Sequence, residues 1–136
     1  MASNTGDLDL WISLWADDGT RMAPSAPPQI GRDQIREAVK PVFDVFDLDM
    51  TVHMEEAKVD GDLGLTRSSY SLTLTPKAGG DPIVFDPDGK ALSVYARQAD
   101  GSWKIVHDCL NTNVAPSQPQ CHIGLSTGAL SPVLRD

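Results

Sequence analysis

The chain has 136 residues and 40% hydrophobic content, enough for one compact domain with a real core and too little for two ordinary domains. Eleven Lys and Arg against 19 Asp and Glu give a formal net charge of −8, which disfavours nucleic acid and anionic membrane surfaces as partners. Since no apolar run reaches the ~18 residues of a membrane span and the N-terminus lacks a signal-peptide pattern, we predict a cytoplasmic protein.

Two helices are predicted in the first third of the chain. Apolar residues recur at helical spacing from residue 8, and Gly19 is a suitable helix end. A second run with the same spacing follows Asp33, a plausible N-cap. The residues on the first helix face are Leu8, Trp11, Ile12 and Trp15, and those on the second are Ile35, Ala38, Val39, Val42 and Phe46.

Four strands are predicted after the helices. From Leu48 apolar and polar residues alternate, and three further strand-like runs cover about 64–75, 91–99 and 102–111. "DPDG" at 86–89 is typical of a turn, and short connections favour an antiparallel meander. Helices followed by such a sheet indicate an α+β fold in one domain, residues 1–113, with a C-terminal tail over 114–136.

Several separated motifs resemble one known family in the right order. They are "GDLDLWISLWADDGTRMAPSAPPQIGRDQIREAV", "YSLTLTPKAGG" and "DGSWKIVHDCLNTN". Across about residues 6–113 the chain resembles the nuclear transport factor 2-like superfamily, in its SnoaL-like and ketosteroid-isomerase-like branch. The resemblance implies a cone-shaped α+β barrel, in which a curved antiparallel sheet wraps around N-terminal helices and leaves a deep apolar pocket. It also implies a homodimer formed through the outer sheet face.

The resemblance departs from ketosteroid isomerases at their catalytic residues. Their general base is an Asp just before a proline, where this chain has Ala23 before Pro24. Their oxyanion-hole tyrosine lies on a first helix, where this chain has only residues 1–5. Polyketide-cyclase relatives instead use a carboxylate on a late strand, and Asp108 is the best match to that role.

Asp108 is the leading catalytic candidate because it interrupts an apolar strand. Regular alternation would place it on one face, and would place His107 on the other. A carboxyl against an apolar pocket has a raised pKa, which suits proton transfer near neutral pH. The alternative is a structural Asp held by hydrogen bonds. The predicted pocket face is Lys104, Val106, Asp108 and Leu110, and the predicted outer face is Trp103, Ile105, His107 and Cys109.

Tyr70 is the second catalytic candidate, since its hydroxyl can orient a ligand carbonyl, although core packing explains it as well. Tyr95 lies on the strand that carries the second acidic group of ketosteroid isomerases, and we expect weaker oxyanion stabilisation from it. The residues expected to line the pocket are Trp11, Trp15, Met22, Tyr95, Val106 and Leu110.

No metal or cofactor is predicted. His53 and Glu55 share one strand face, but no other His or Cys has metal-site spacing. Phosphate loops and GxSxG elbows do not occur. We therefore expect a small apolar or aromatic ligand and a cofactor-free isomerase, polyketide-cyclase-like or hydrolase-like reaction. The alternative is a non-catalytic small-molecule-binding or protein-association module. Leu65, Ile105 and Cys109 on the outer sheet face indicate a homodimer.

Overall fold

The computed structural model describes residues 2–117, which fold as an α+β domain around one curved, unclosed sheet. The α+β prediction is therefore confirmed. A short 3₁₀ helix, Ala2–Thr5, precedes the helices α1 (Leu8–Ser13) and α2 (Arg32–Val45). The strands are β1 (Trp15–Met22), β2 (Gln29–Ile30), β3 (Phe46–Asp60), β4 (Leu63–Pro76), β5 (Ile83–Arg97) and β6 (Trp103–Thr112).

Within the described residues the sheet has six strands, in the order β2-β1-β6-β5-β4-β3. The predicted meander corresponds to β3 through β6, which pair antiparallel in chain order. The prediction of four strands was incomplete, because β1 pairs with β6 in parallel and β2 extends the same edge. This parallel pairing brings the N-terminal third of the chain beside the last strand.

The first helix is shorter than its spacing predicted. α1 begins after Asp7, whose carboxylate accepts a hydrogen bond from the Leu10 amide at 3.0 Å, and it ends at Ser13. Trp15 opens β1 opposite Ile105 of β6. Its ring still joins the core, because Ile12, Trp15 and Ile35 form one buried cluster against which Ile105 packs. Pairing with the sheet therefore overrides the helical spacing after Ser13.

The second helix buries the predicted face through Ile35, Val39 and Phe43. Asp33 is not its N-cap. The helix begins at Arg32 after Gly31, which has a positive φ of 86° and provides no side-chain cap. A left-handed residue before the helix turns the chain sharply from β2 into α2.

The loop predicted before residue 91 is largely strand. β5 begins at Ile83, and two register shifts against β4 absorb the extra residues around "DPDG". Asp86 lies within this strand and is only 7% exposed. The interpretation of 86–89 as a simple turn was therefore wrong, and β-bulges accommodate the proline and glycine that suggested it.

A β-bulge at Val106 changes the face of the residues before it. Val94 of β5 pairs with His107 and Tyr95 with Ile105, so Val106 is the extra residue. Ile105 consequently packs against the core rather than on the outer face, which corrects the prediction. We call the side of the sheet that carries Ser93, Ile105 and Asp108 the inner face.

The predicted tail over 114–136, including Cys121, lies mostly outside the described residues. Within residues 2–117, no helix is long and apolar enough to cross a membrane.

Candidate functional site

Four polar residues on four strands form a continuous row across the inner face. Asp108 of β6 pairs with Ser93 of β5 on one side and with Arg21 of β1 on the other. Ser93 in turn pairs with Thr66 of β4. Paired residues share a face and lie about 5 Å apart, so the sheet brings a cation, a carboxyl and two hydroxyls together.

The Asp108 carboxyl is half-buried and, in the part of the chain that the structure describes, is held by one side-chain hydrogen bond. The Ser93 hydroxyl, on a residue only 8% exposed, donates to Oδ1 of Asp108 at 2.7 Å. Burial raises the pKa of Asp108 above its usual range, although the Ser93 hydrogen bond and the Arg21 charge both act to lower it. Desolvation therefore dominates, and proton uptake by this carboxyl becomes easier than in water. His107, one residue before, is exposed.

Arg21 supplies the positive charge of the row. Its Nη1 donates to Oε1 of Gln29 at 2.9 Å, which fixes the guanidinium beside β2. Burial lowers the pKa of Arg21, and the Asp108 carboxylate partly offsets that effect. Sequence reasoning missed this residue, because Gly19 was interpreted as the end of the first helix and no strand was predicted directly after it.

Tyr70 lies farther along the inner face, over a glycine. It pairs with Gly89 of β5, and a Cβ on Gly89 would lie only 2.2 Å from Cζ of the Tyr70 ring. The Tyr70 hydroxyl donates to the Asn111 carbonyl at 3.4 Å. Burial, followed by the nearby Asp86 carboxylate, raises the pKa of Tyr70 to about 12. The phenol therefore remains a neutral hydrogen-bond donor across the physiological range.

Asp86 is a further buried carboxylate that sequence reasoning missed. Its Oδ1 accepts hydrogen bonds from the Thr112 hydroxyl at 3.0 Å and from the Asp88 amide at 3.2 Å. These contacts tie the bulged part of β5 to the end of β6. We interpret Asp86 as support for Tyr70, because its charge is among the causes of the raised Tyr70 pKa.

The two candidate tryptophans pack together beside the inner face. The Trp11 ring centroid lies 5.7 Å from that of Trp15 and 5.9 Å from that of Phe43. Trp15 is 0% exposed, and its Nε1 has no hydrogen-bond partner among residues 2–117. Trp11 is only half-buried, so it is the member of the pair with surface left for a ligand.

The other candidate lining residues divide between the two faces. Tyr95 pairs with Ile105, and Leu110 pairs with Ala91, which places both with Asp108 on the inner face. Val106 is half-buried at the bulge. Met22 pairs with Cys109, one position from the Arg21–Asp108 pair, and therefore lies on the opposite face.

Two concave regions lie elsewhere on the molecule. One, of about 640 Å³, is lined by Val59, Leu63 and Val94 among others. The other, of about 490 Å³, includes Arg67 and Cys109. Neither is lined by any of the candidate site residues. No group of three or more His, Cys, Asp or Glu in residues 2–117 is arranged to hold a metal ion.

Comparison with known proteins identifies the family. The family model for the SnoaL-like domain matches residues 2–107 of this sequence. The chain belongs to the SnoaL-like family. No curated protein matches its sequence significantly. The fold is that of the nuclear transport factor 2-like superfamily, which includes isomerases, cyclases and dehydratases.

Solved structures agree with this assignment. A ketosteroid isomerase-like protein from Erwinia carotovora is 29% identical, with 85% of this chain and 87% of that chain covered and a TM-score of 0.70. A candidate dehydratase of the NTF2-like family from Streptomyces avermitilis is 19% identical, with coverages of 84% and 88% and a TM-score of 0.71. An NTF2-like superfamily protein from Salmonella enterica is 17% identical, with coverages of 88% and 86% and a TM-score of 0.68. The last two show the shared fold alone.

Proposed function

We propose that this SnoaL-like protein binds a small apolar or aromatic molecule against its inner face and moves a proton on it, with Asp108 as the acid and base. The observation that carries the proposal is the environment of Asp108. Its carboxyl is half-buried, is held by Ser93 at 2.7 Å and has a raised pKa because burial outweighs its polar partners. Groups of this kind are concentrated at functional sites.

The chemistry follows from the two forms of this carboxyl. As a carboxylate, Asp108 takes a proton from a carbon next to a substrate carbonyl, and the electron pair moves onto the carbonyl oxygen. As an acid, it returns the proton to the same or another carbon, so no cofactor is consumed. Because the pKa is raised, the protonated form is more accessible than it is for an exposed carboxyl, which favours a group that both takes up and returns a proton.

Tyr70 has the properties needed to stabilise the oxygen that becomes negative. Because the pKa of Tyr70 is about 12, its phenol stays neutral at physiological pH. It can therefore donate a hydrogen bond to an enolate throughout the reaction. The half-buried Trp11 and Leu110 provide apolar surface for the carbon skeleton. Tyr95 extends that surface towards Ile105, its cross-strand partner.

A deuterium-exchange assay tests the proposal without knowledge of the natural substrate. A panel of cyclic enones and aryl β-diketones is incubated with the protein in D₂O, and loss of the α-proton signal is followed by NMR. We expect Asp108→Asn to slow exchange by ~10²- to 10⁴-fold, the usual contribution of a general acid or base. Asp49→Asn, the same change at an exposed position of β3, is the matched control and should leave the rate unchanged.

Tyr70→Phe separates the donor from the ring. The variant keeps the aromatic packing on Gly89 and should slow exchange by ~10²-fold, as expected when one oxyanion donor is lost. If compounds bind but exchange no faster than in buffer, or if Asp108→Asn exchanges as fast as the wild type, the catalytic proposal is wrong. A non-catalytic binding module would then account for the site.

A further inference from the structure

Arg21 differs from the other arginines of residues 2–117. Arg32, Arg36, Arg67 and Arg97 each form a salt bridge with an Asp or Glu. Arg21 forms none within the described residues. Among residues 2–117, its one hydrogen bond is from Nη1 to the neutral amide of Gln29.

The guanidinium of Arg21 is partly buried, a position in which a charge gains from direct pairing with an anion. The carboxylate of Asp108, its cross-strand partner, acts on Arg21 through its charge but forms no salt bridge with it. That carboxyl is engaged by Ser93 rather than by Arg21. The N–H groups at Nε and Nη2 of Arg21 therefore donate a hydrogen bond to no residue within 2–117.

We propose that Arg21 binds the carboxylate of the substrate, so that the ligand class of this site is a small organic acid with an apolar skeleton. The proposal rests on the proposed function, because it places the ligand on the same inner face as Asp108. A guanidinium offers two parallel N–H donors that match a carboxylate, and such bidentate pairs are strong and directional.

The arrangement also gives the ligand a direction. Arg21 lies near the end of β1. The packed pair of Trp11 and Trp15 lies at the start of β1, where Trp15 pairs with Ile105. With its carboxylate on Arg21, the ligand is expected to place its apolar part along β1 towards the half-buried Trp11. Asp108 lies beside the carboxylate end, so the proton that it moves belongs to a carbon close to the acid group.

Paired acids and amides test the proposal on the full-length protein. The probes are acetate, benzoate, cyclohexanecarboxylate and 2-naphthoate, each against its neutral amide, with binding followed by tryptophan fluorescence. We expect at least one acid to bind ~10-fold or more tightly than its amide, as for a charge-assisted hydrogen bond. Arg21→Gln should abolish this preference, and Arg21→Lys should keep part of it. Arg67→Gln, at an exposed outer-face arginine, should leave it unchanged.

The Arg21 Nε–H resonance of the wild type gives a readout that does not depend on the folding of any variant, and it should shift on addition of the preferred acid. If no acid is preferred over its amide, or if the preference survives in folded Arg21→Gln, the proposal is wrong. An unmoved Arg21 resonance on binding of the preferred acid would overturn it too.

Failure of this inference is distinguishable from failure of the proposed function. If Asp108→Asn loses proton exchange but no acid is preferred, only the role of Arg21 is wrong. If the preference depends on Arg21 but Asp108→Asn exchanges normally, only the role of Asp108 is wrong.

Discussion

The Tyr70 ring lies where the side chain of any residue larger than glycine at position 89 would be. An added Cβ would be 2.2 Å from Cζ and 2.3 Å from Cε2 of that ring. The two residues pair across β4 and β5, so the glycine allows the phenol to lie flat against the inner face. The position of the proposed oxyanion donor therefore depends on a backbone feature of the neighbouring strand.

Gly89→Ala should lower the free energy of unfolding by ~1–3 kcal/mol, because the new methyl group must displace the ring or the strand. Urea denaturation measures the loss. Gly64→Ala in β4, where the nearest atom would be 3.3 Å away, is the milder control. The loss should largely disappear in a Tyr70→Ala background, as a double-mutant cycle would show. An equal loss with and without the ring would mean that the glycine serves another purpose.

The high pKa of Tyr70 can be observed directly. The alkaline absorbance titration of the wild type should contain a component with a pKa of about 12 that is missing from Tyr70→Phe. The physical cause is burial together with the Asp86 carboxylate, both of which oppose a phenolate. If the component of the titration that disappears in Tyr70→Phe has a pKa near 10, the usual value for tyrosine, the prediction is wrong and the phenol is not buried as described.

Asp108 should make stability depend on pH in a defined direction. Because its folded-state pKa is raised, its stabilising contribution is complete below the unfolded-state pKa and is lost as pH rises through the folded-state pKa. The free energy of unfolding of the wild type, measured relative to Asp108→Asn, should therefore fall as the pH rises above the ~3.9 of an unfolded Asp. A relative stability that rises over this range would show a depressed pKa and a structural carboxylate.

The outer sheet face leads us to expect a homodimer. Leu92 is 49% exposed and pairs with the exposed Cys109, while the half-buried Leu65 lies on the same face. Antiparallel sheets with apolar residues on an uncovered face commonly bury them in association. Sedimentation should give twice the 14.6 kDa chain mass, and Leu92→Glu should shift it towards one chain. A wild-type monomer at micromolar concentration would contradict this expectation.

The sequence predicted those features that depend on local periodicity. The alternation of apolar and polar residues in β3 to β6 predicted the antiparallel meander. The helical spacing of Ile35 and Val39 predicted the buried face of α2. Trp15 shows the limit of this reasoning, because it fits helical spacing yet lies in a strand that pairs with Ile105. Such pairing between distant segments leaves no local signal.

The candidate site could be predicted only in part for the same reason. Asp108 stood out as a carboxyl in an apolar strand, and its alternation with His107 is visible in the sequence. Ser93 could have been found, since it lies two residues before Tyr95 on the same strand face. Arg21 could not, because its place beside Asp108 depends on the parallel β1–β6 pairing.

The most direct test of the account is a ¹³C NMR titration of the Asp108 carboxyl in the wild-type protein, assigned by comparison with Asp108→Asn. We expect a midpoint clearly above the ~3.9 of a free Asp, because burial opposes the charged form more than Ser93 and Arg21 favour it. A midpoint below that value would show that hydrogen bonds and charge dominate, and would contradict the role of Asp108 as the proton carrier.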